Sequence, residues 1–107
     1  MSFDIAEFEE ALAQDTPPAG LEPPLLALWY GLKGAWSEAH AIVQAAQGDP
    51  ACDWVHAWLH RIEGDLANAA YWYRRAGRST PTGSVASEGR TIAAELLARR
   101  PGGAATV

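Results

Sequence analysis

The chain has 107 residues, of which 49% are apolar and 20% charged. This length fits one hydrophobic core rather than two, and the composition excludes a disordered chain. The net charge of −5 argues against a nucleic-acid partner, because phosphate binding requires a concentrated basic surface.

The charge is unevenly distributed along the chain. Residues 1–50 carry eight acids against Lys33, giving −7, whereas residues 51–107 carry five acids against seven arginines, giving +2. This asymmetry leaves room for head-to-tail self-association, and a homodimer is a separate predicted assembly. Cys52 is the only cysteine, which excludes an internal disulfide and fits a reducing compartment. Since no stretch approaches about 20 apolar residues, we expect a cytoplasmic protein with no membrane partner.

Helical periodicity with glycine and proline interruptions predicts an all-α chain with a single domain over residues 1–100. Ser2 is a candidate cap for the first helix, which we expect to run to about Gln14, and Ser84 or Ser87 is a candidate cap for the last. The predicted elements are an N-terminal helix (1–15), a proline-rich connector (16–24), a first helical hairpin (25–48), a second hairpin (50–78), a C-terminal helix (84–100) and a flexible tail (101–107).

Shifting the sequence by 30 residues aligns it with itself. Gly34 then falls on Gly64, at the predicted bend of each hairpin. Small residues recur where helices must approach closely, and bulky residues recur where they would fill a hairpin interior. The matched pairs are Ala27 with Ala57, Leu28 with Trp58, Trp36 with Leu66, Ala39 with Ala69, Val43 with Tyr73, and Ala46 with Ala76.

These segments resemble the tetratricopeptide repeat, whose second helix opens on glycine and continues with a large residue, Ala, a large residue and Ala. The run Asn68 to Gly77 is most similar to the Sel1 variety. The resemblance covers residues 24–80. It implies five to six antiparallel helices, stacked in chain order as a short right-handed solenoid whose concave face binds peptides.

The chain also resembles a small set of uncharacterised bacterial proteins. The shared core is His-x3-His-Arg, Glu-Gly-Asp and Tyr-Trp-Tyr-Arg-Arg-Ala-Gly, which lies here between His56 and Gly77. This resemblance implies no activity.

A polar stripe marks the first helix of the second hairpin. Asp53, His56, His60 and Glu63 follow at spacings of three, four and three, on one arc of roughly 80°. Histidines four apart can face one metal ion, a carboxylate can complete the set, and His40 from the preceding helix can join it. The sequence therefore predicts a candidate metal or ligand site.

The alternative is that these histidines are structural. His60 aligns with Tyr30 in the repeat, a packing position, and His56 lies in the same register. Both rings would then hydrogen-bond to Asp53, to Glu63 or to a backbone carbonyl.

Trp54, Trp58 and Arg61 lie on the neighbouring face of the same helix. Aromatic and arginine side chains dominate interaction hot spots, so this face is the first candidate for partner binding. Exposure is the discriminating observation, because the alternative is that the tryptophans are covered within one monomer. Trp72 and Arg75, three residues apart, are a second candidate contact and a predicted cation–π pair.

Catalytic signatures are lacking. No phosphate-binding glycine loop, nucleophile elbow or dinucleotide fingerprint occurs in the sequence. We therefore predict no enzyme activity, no catalytic residue and no cofactor. The favoured function is a protein-interaction or scaffolding module that binds a peptide, a partner helix or its own copy. The alternative is a metal- or small-molecule-binding protein, possibly an enzyme, that uses His40, His56 and His60.

Overall fold

The structure, a computed structural model, describes residues 3–99. Within that range the chain forms six helices and no strand, which confirms the predicted all-α fold and its count of five to six helices. None of these helices has both the length and the apolar character needed to cross a bilayer. The helices are α1 (Ile5–Ala11), α2 (Pro23–Leu32), α3 (Trp36–Ala45), α4 (Pro50–Glu63), α5 (Leu66–Arg75) and α6 (Val85–Ala98).

The first helix is shorter than the sequence indicated. Its cap is Asp4, whose carboxylate accepts the Glu7 N–H while the Glu7 carboxylate accepts the Asp4 N–H, a reciprocal capping box. The predicted cap Ser2 lies outside the described residues. The helix ends at Ala11 rather than near Gln14.

Two of the helices begin with proline. Pro23 and Pro50 are the first residues of α2 and α4, because the N–H groups of a helix's first turn have no partner within it and their loss costs nothing there. The predicted start of the first hairpin at residue 25 was therefore slightly late, whereas the second hairpin was predicted to start at residue 50, where α4 begins. Asp49 caps α4 by accepting the Cys52 N–H, and Ser84 caps α6 through the Ser87 N–H.

The two hairpins bend in the same way. Gly34 and Gly64 have φ angles of +84° and +87°, a conformation that glycine adopts without strain. The residue after each glycine donates its N–H to a carbonyl five residues earlier, Ala35 to Tyr30 and Asp65 to His60. The predicted correspondence between the two bends is confirmed.

Most matched pairs also share their burial. Ala27 and Ala57, Ala39 and Ala69, and Val43 and Tyr73 are all buried. The exception is Trp36, half-buried, with Leu66, which is 65% exposed. The predicted interior role of Leu66 is wrong. Trp36 packs against the following hairpin and donates to the Leu59 carbonyl, whereas no further hairpin follows α5.

The last helix does not extend the stack, contrary to expectation. The backbone of α6 lies against α4, α2 and α1, and among the described helices the backbone of α5 approaches only α4. The ring of Trp58 fills the junction of α2, α4 and α6. It lies so close to Gly31 and Gly89 that a Cβ on either glycine would stand 2.5 or 2.9 Å from it, and its indole N–H donates to the Val85 carbonyl at 2.7 Å.

Candidate metal centre

Three imidazoles converge between α3 and α4. His40 belongs to α3, while His56 and His60 are one turn apart on α4. Ring centroids are 4.9 Å apart for His40 and His56, 5.3 Å for His40 and His60, and 5.0 Å for His56 and His60. One ring nitrogen from each residue lies within 4.8 Å of the others. The structure thus brings together the three histidines that the sequence singled out.

The helices hold this cluster by close packing. Ala39 is fully buried next to His40 in α3, and a small residue there permits the close helix approach that the three rings require. On α4, the four-residue spacing puts His56 and His60 on one face, with their planes 26° apart.

Two indoles flank the cluster. Trp36 stacks on His40 with 4.6 Å between centroids and 11° between planes, and Trp72 stacks on His56 at 3.8 Å and 15°. Flat stacking fixes the orientation of both imidazoles and reduces water access. The sequence analysis did not assign Trp36 to this site, although its four-residue spacing from His40 places both on one face of a helix.

The environment favours uncharged imidazoles. Burial lowers the pKa of His56 to about 4, assisted by the nearby His60, His40 and Arg75. Burial also lowers the pKa of His40, with His60 acting in the same direction and Glu63 opposing. Since a metal ion binds the neutral ring, these two side chains are in the ligating form at neutral pH.

Hydrogen bonds distinguish His60 from the other two residues. His60 Nδ1 pairs with Glu63 Oε2 at 2.6 Å, so the ring donates to a carboxylate and keeps Nε2 for another partner. Metal-ligating histidines are commonly oriented in this way. His56 Nδ1 is buried without a hydrogen-bond partner among the described residues. Leaving such a group unpaired costs about 1–3 kcal/mol.

The carboxylates of the predicted stripe have other roles. Asp53 is buried and accepts the Gly48 N–H at 3.2 Å, so it braces the loop before α4 and stays outside the imidazole group. Glu63 supports His60 and forms a second group with it and Asp65. Cys52 also stays outside the imidazole group, and burial, with Asp49 nearby, raises the pKa of its metal-free thiol to about 12.

The size of the cluster suits a transition-metal ion after a small contraction. A tetrahedral ion with bonds of about 2.0–2.1 Å to nitrogen needs its donors about 3.3 Å apart. The observed limit of 4.8 Å therefore requires the donors to close by about 1.5 Å at most when an ion binds.

The first predicted partner face is not exposed. Trp54 and Trp58 are 5% and 1% accessible, and Arg61 donates to Glu88 of α6 at 2.8 Å. The expectation of an open groove at these residues is wrong, because α6 and the loop before it cover them.

A buried polar network holds α6 against α4 and α5. Glu88 accepts from Arg61 on one oxygen and from the Tyr73 hydroxyl at 2.5 Å on the other. Arg61 also donates to the Gly83 carbonyl, and the Arg78 guanidinium stacks 3.5 Å above the Trp54 ring.

The second predicted contact is partly exposed. The Arg75 guanidinium lies 5.0 Å from the centre of the Trp72 ring, which confirms the predicted cation–π pair. Trp72 itself is 7% accessible, whereas Arg75 is exposed. Arg75 also donates to the Tyr71 hydroxyl at 3.2 Å.

Comparison with known proteins gave no match: no family model, no curated protein and no solved structure is similar to this chain. The function proposed below therefore rests on the geometry of the site.

Proposed function

We propose that this protein binds one divalent transition-metal ion through His40, His56 and His60. The observation that carries the proposal is the convergence of one nitrogen from each ring. Imidazole nitrogen is a preferred ligand of Zn²⁺, Ni²⁺ and Cu²⁺, whereas Ca²⁺ and Mg²⁺ prefer oxygen.

The surroundings support a binding role over a purely structural one. Structural histidines use their ring nitrogens in hydrogen bonds. Of the three histidines in the cluster, only His60 has a hydrogen-bond partner among the described residues, namely Glu63. The partnerless Nδ1 of His56 indicates that packing alone did not determine this arrangement. Glu63 would orient His60 and increase the basicity of its free nitrogen.

The test is to titrate tag-free protein with Zn²⁺ and with Ni²⁺ and to measure binding by calorimetry and by the shift in melting temperature. We expect one ion per chain and a raised melting temperature, since an ion that binds only the folded state stabilises it. His40→Ala should abolish tight binding, and Gln44→Ala, one turn further along α3 and exposed, should leave it unchanged.

Glu63→Gln should weaken binding by about 10- to 100-fold, the usual effect of removing a carboxylate that orients a ligand. Absence of heat and an unchanged melting temperature with both ions would refute the metal function. Equal affinity of wild-type protein and His40→Ala would place any bound ion elsewhere.

A second candidate is self-association through the outer face of α5. The backbone of this helix packs against α4 alone among the described helices, and Leu66 and Tyr71 are exposed beside Arg74 and Arg75. A second copy is the fitting occupant because α1 exposes acids, including Glu10. This surface replaces the buried Trp54 face as the proposed location of the predicted interaction role.

Head-to-tail contact of a basic helix with an acidic one depends on salt. We expect sedimentation to show dimers or longer assemblies at low salt that dissociate at high salt. Leu66→Asp should prevent assembly, whereas Thr80→Asp, exposed in the following loop, should not. A monomer at every salt and protein concentration would exclude this candidate.

A further inference from the structure

We infer that the metal centre keeps one coordination position open, and that a small anionic ligand from outside the chain occupies it exchangeably. This inference rests on the proposed function and adds to it the class of ligand that the bound ion would take.

The first consideration is how many ligand atoms the chain can supply to the ion. Only three residues of the described chain contribute to the imidazole group. Residues 1–2 and 100–107 contain no His, Cys, Asp or Glu, so they supply no side chain of the kinds that usually ligate these ions. A tetrahedral ion held here would lack a fourth protein ligand.

The other acidic and thiol side chains of α4 are engaged elsewhere or lie outside the imidazole group. Glu63 pairs with the opposite side of the His60 ring, at Nδ1. Asp53 accepts a backbone N–H from Gly48, and neither Asp53 nor the buried Cys52 belongs to the imidazole group. Structural zinc sites are closed by four protein ligands, whereas three-ligand sites leave a position for water or substrate. This site belongs to the three-ligand class.

The most exposed of the three histidines is His40, and a ligand would reach the open position there. His56 and His60 are buried at 1% and 6% exposure, while His40 is half-buried at the edge of the cluster. An exchanging ligand would therefore approach past α3. No large cavity is required, because a monodentate anion of a few atoms needs little more room than water.

Charge favours an anion over a neutral ligand. Three uncharged imidazoles leave the ion its full charge of +2, and electrostatic attraction in a partly buried site is stronger than in water. The Glu63 carboxylate beside His60 offsets part of that charge, whereas Arg75 adds to it: its guanidinium lies 5.0 Å from the Trp72 ring, which stacks on His56.

The experiment uses full-length protein loaded with Co²⁺, whose visible absorption reports the coordination sphere. Sodium azide, the probe anion, is added at constant ionic strength. We expect a saturable shift of the visible bands with one azide per cobalt, and Glu63→Gln should also show a saturable shift once that variant is loaded. Sodium perchlorate, a poorly coordinating anion, is the control for ionic effects.

The possible outcomes distinguish a failure of this inference from a failure of the proposed metal-binding function. Failure of Co²⁺ to bind would refute the metal site itself. Bound Co²⁺ with a spectrum that azide leaves unchanged would overturn the open position while the metal site stands. A response confined to Glu63→Gln would show that Glu63 moves to close the site in the wild-type protein, and would also overturn the inference.

Discussion

The indole of Trp72 lies flat against the imidazole of His56, with 3.8 Å between their centroids and 15° between their planes. This contact joins α5 to the candidate metal centre, although α5 supplies no ligand. It also places an intrinsic fluorophore directly against one of the proposed ligands.

Copper should therefore quench tryptophan fluorescence on binding. Cu²⁺ forms the most stable complexes among the divalent first-row ions and is paramagnetic, whereas d¹⁰ Zn²⁺ lacks that quenching route. We expect Trp72→Phe to lose a larger share of the Cu²⁺-induced quenching than Trp29→Phe. Trp29 is the matched control because its indole N–H donates to the Ala11 carbonyl of α1. Equal losses in the two variants would place the copper away from His56.

Stability of the metal-free protein should fall as the pH is lowered from neutral. His56 has a pKa of about 4 in the fold against an ordinary value of 6.5. Between these two pH values His56 is protonated in the unfolded chain but stays neutral in the folded protein, so acid favours unfolding. Above pH 6.5 the His56 ring is neutral in both states. Burial is the main cause of the low pKa of His56, and His60, His40 and Arg75 act in the same direction.

The full difference is on the order of 3 kcal/mol, reached near pH 4. Urea unfolding in the presence of a chelator, compared at pH 7 and pH 5, measures part of this loss. His56→Gln should flatten the pH dependence over this interval. A wild-type free energy of unfolding that stays constant or rises towards pH 5 would contradict the prediction.

Alanine at Gly31 should destabilise the fold. The added methyl would stand 2.5 Å from the Trp58 ring, and overpacking of this kind typically costs about 1–3 kcal/mol. Gly83→Ala is the control, since its added methyl would meet nothing within 4 Å and its φ is not in the left-handed region. Equal stability of the two variants by urea unfolding would mean that the junction of α2, α4 and α6 is loosely packed.

Loss of the Glu88 carboxylate should be more damaging than loss of the Tyr73 hydroxyl. Glu88→Ala leaves the Arg61 guanidinium, whose side chain is only 14% exposed, without its anion, which costs about 3–5 kcal/mol. Tyr73→Phe removes one hydrogen bond and should cost about 1–3 kcal/mol. Metal affinity, measured on folded protein, should change little in either variant. The reverse order of stabilities would show that Arg61 finds another partner.

Local features of the fold were predictable from the sequence because short-range chemistry determines them. Glycine at positions 34 and 64 specifies the bends, and the alternation of small and bulky residues specifies which helix faces pack. The position of Leu66 was not predictable in this way. It matches Trp36 in sequence, but burial at that register depends on a following hairpin, which α5 lacks.

In the candidate site, too, some features were predictable from local spacing and others depended on long-range packing. The spacing of His56 and His60 required that they share a helix face, and the adjoining helix was the natural source of His40. The role of Asp53 could not be predicted from the sequence. Its carboxylate lies on the same helix face as the histidines by spacing, but it can turn towards a backbone N–H of the preceding loop. The burial of Trp54 and Trp58 was missed because it depends on where α6 docks, a long-range choice that its own periodicity leaves undetermined.

The docking of α6 has a consequence for how the chain unfolds. In extended repeat arrays each unit touches only its neighbours, so one end can melt while the other persists. Here a single indole ring requires α2, α4 and α6 to be in place together, and α6 also reaches α1. Both ends of the described chain are thereby tied to its centre, and the six helices should be lost in one cooperative step.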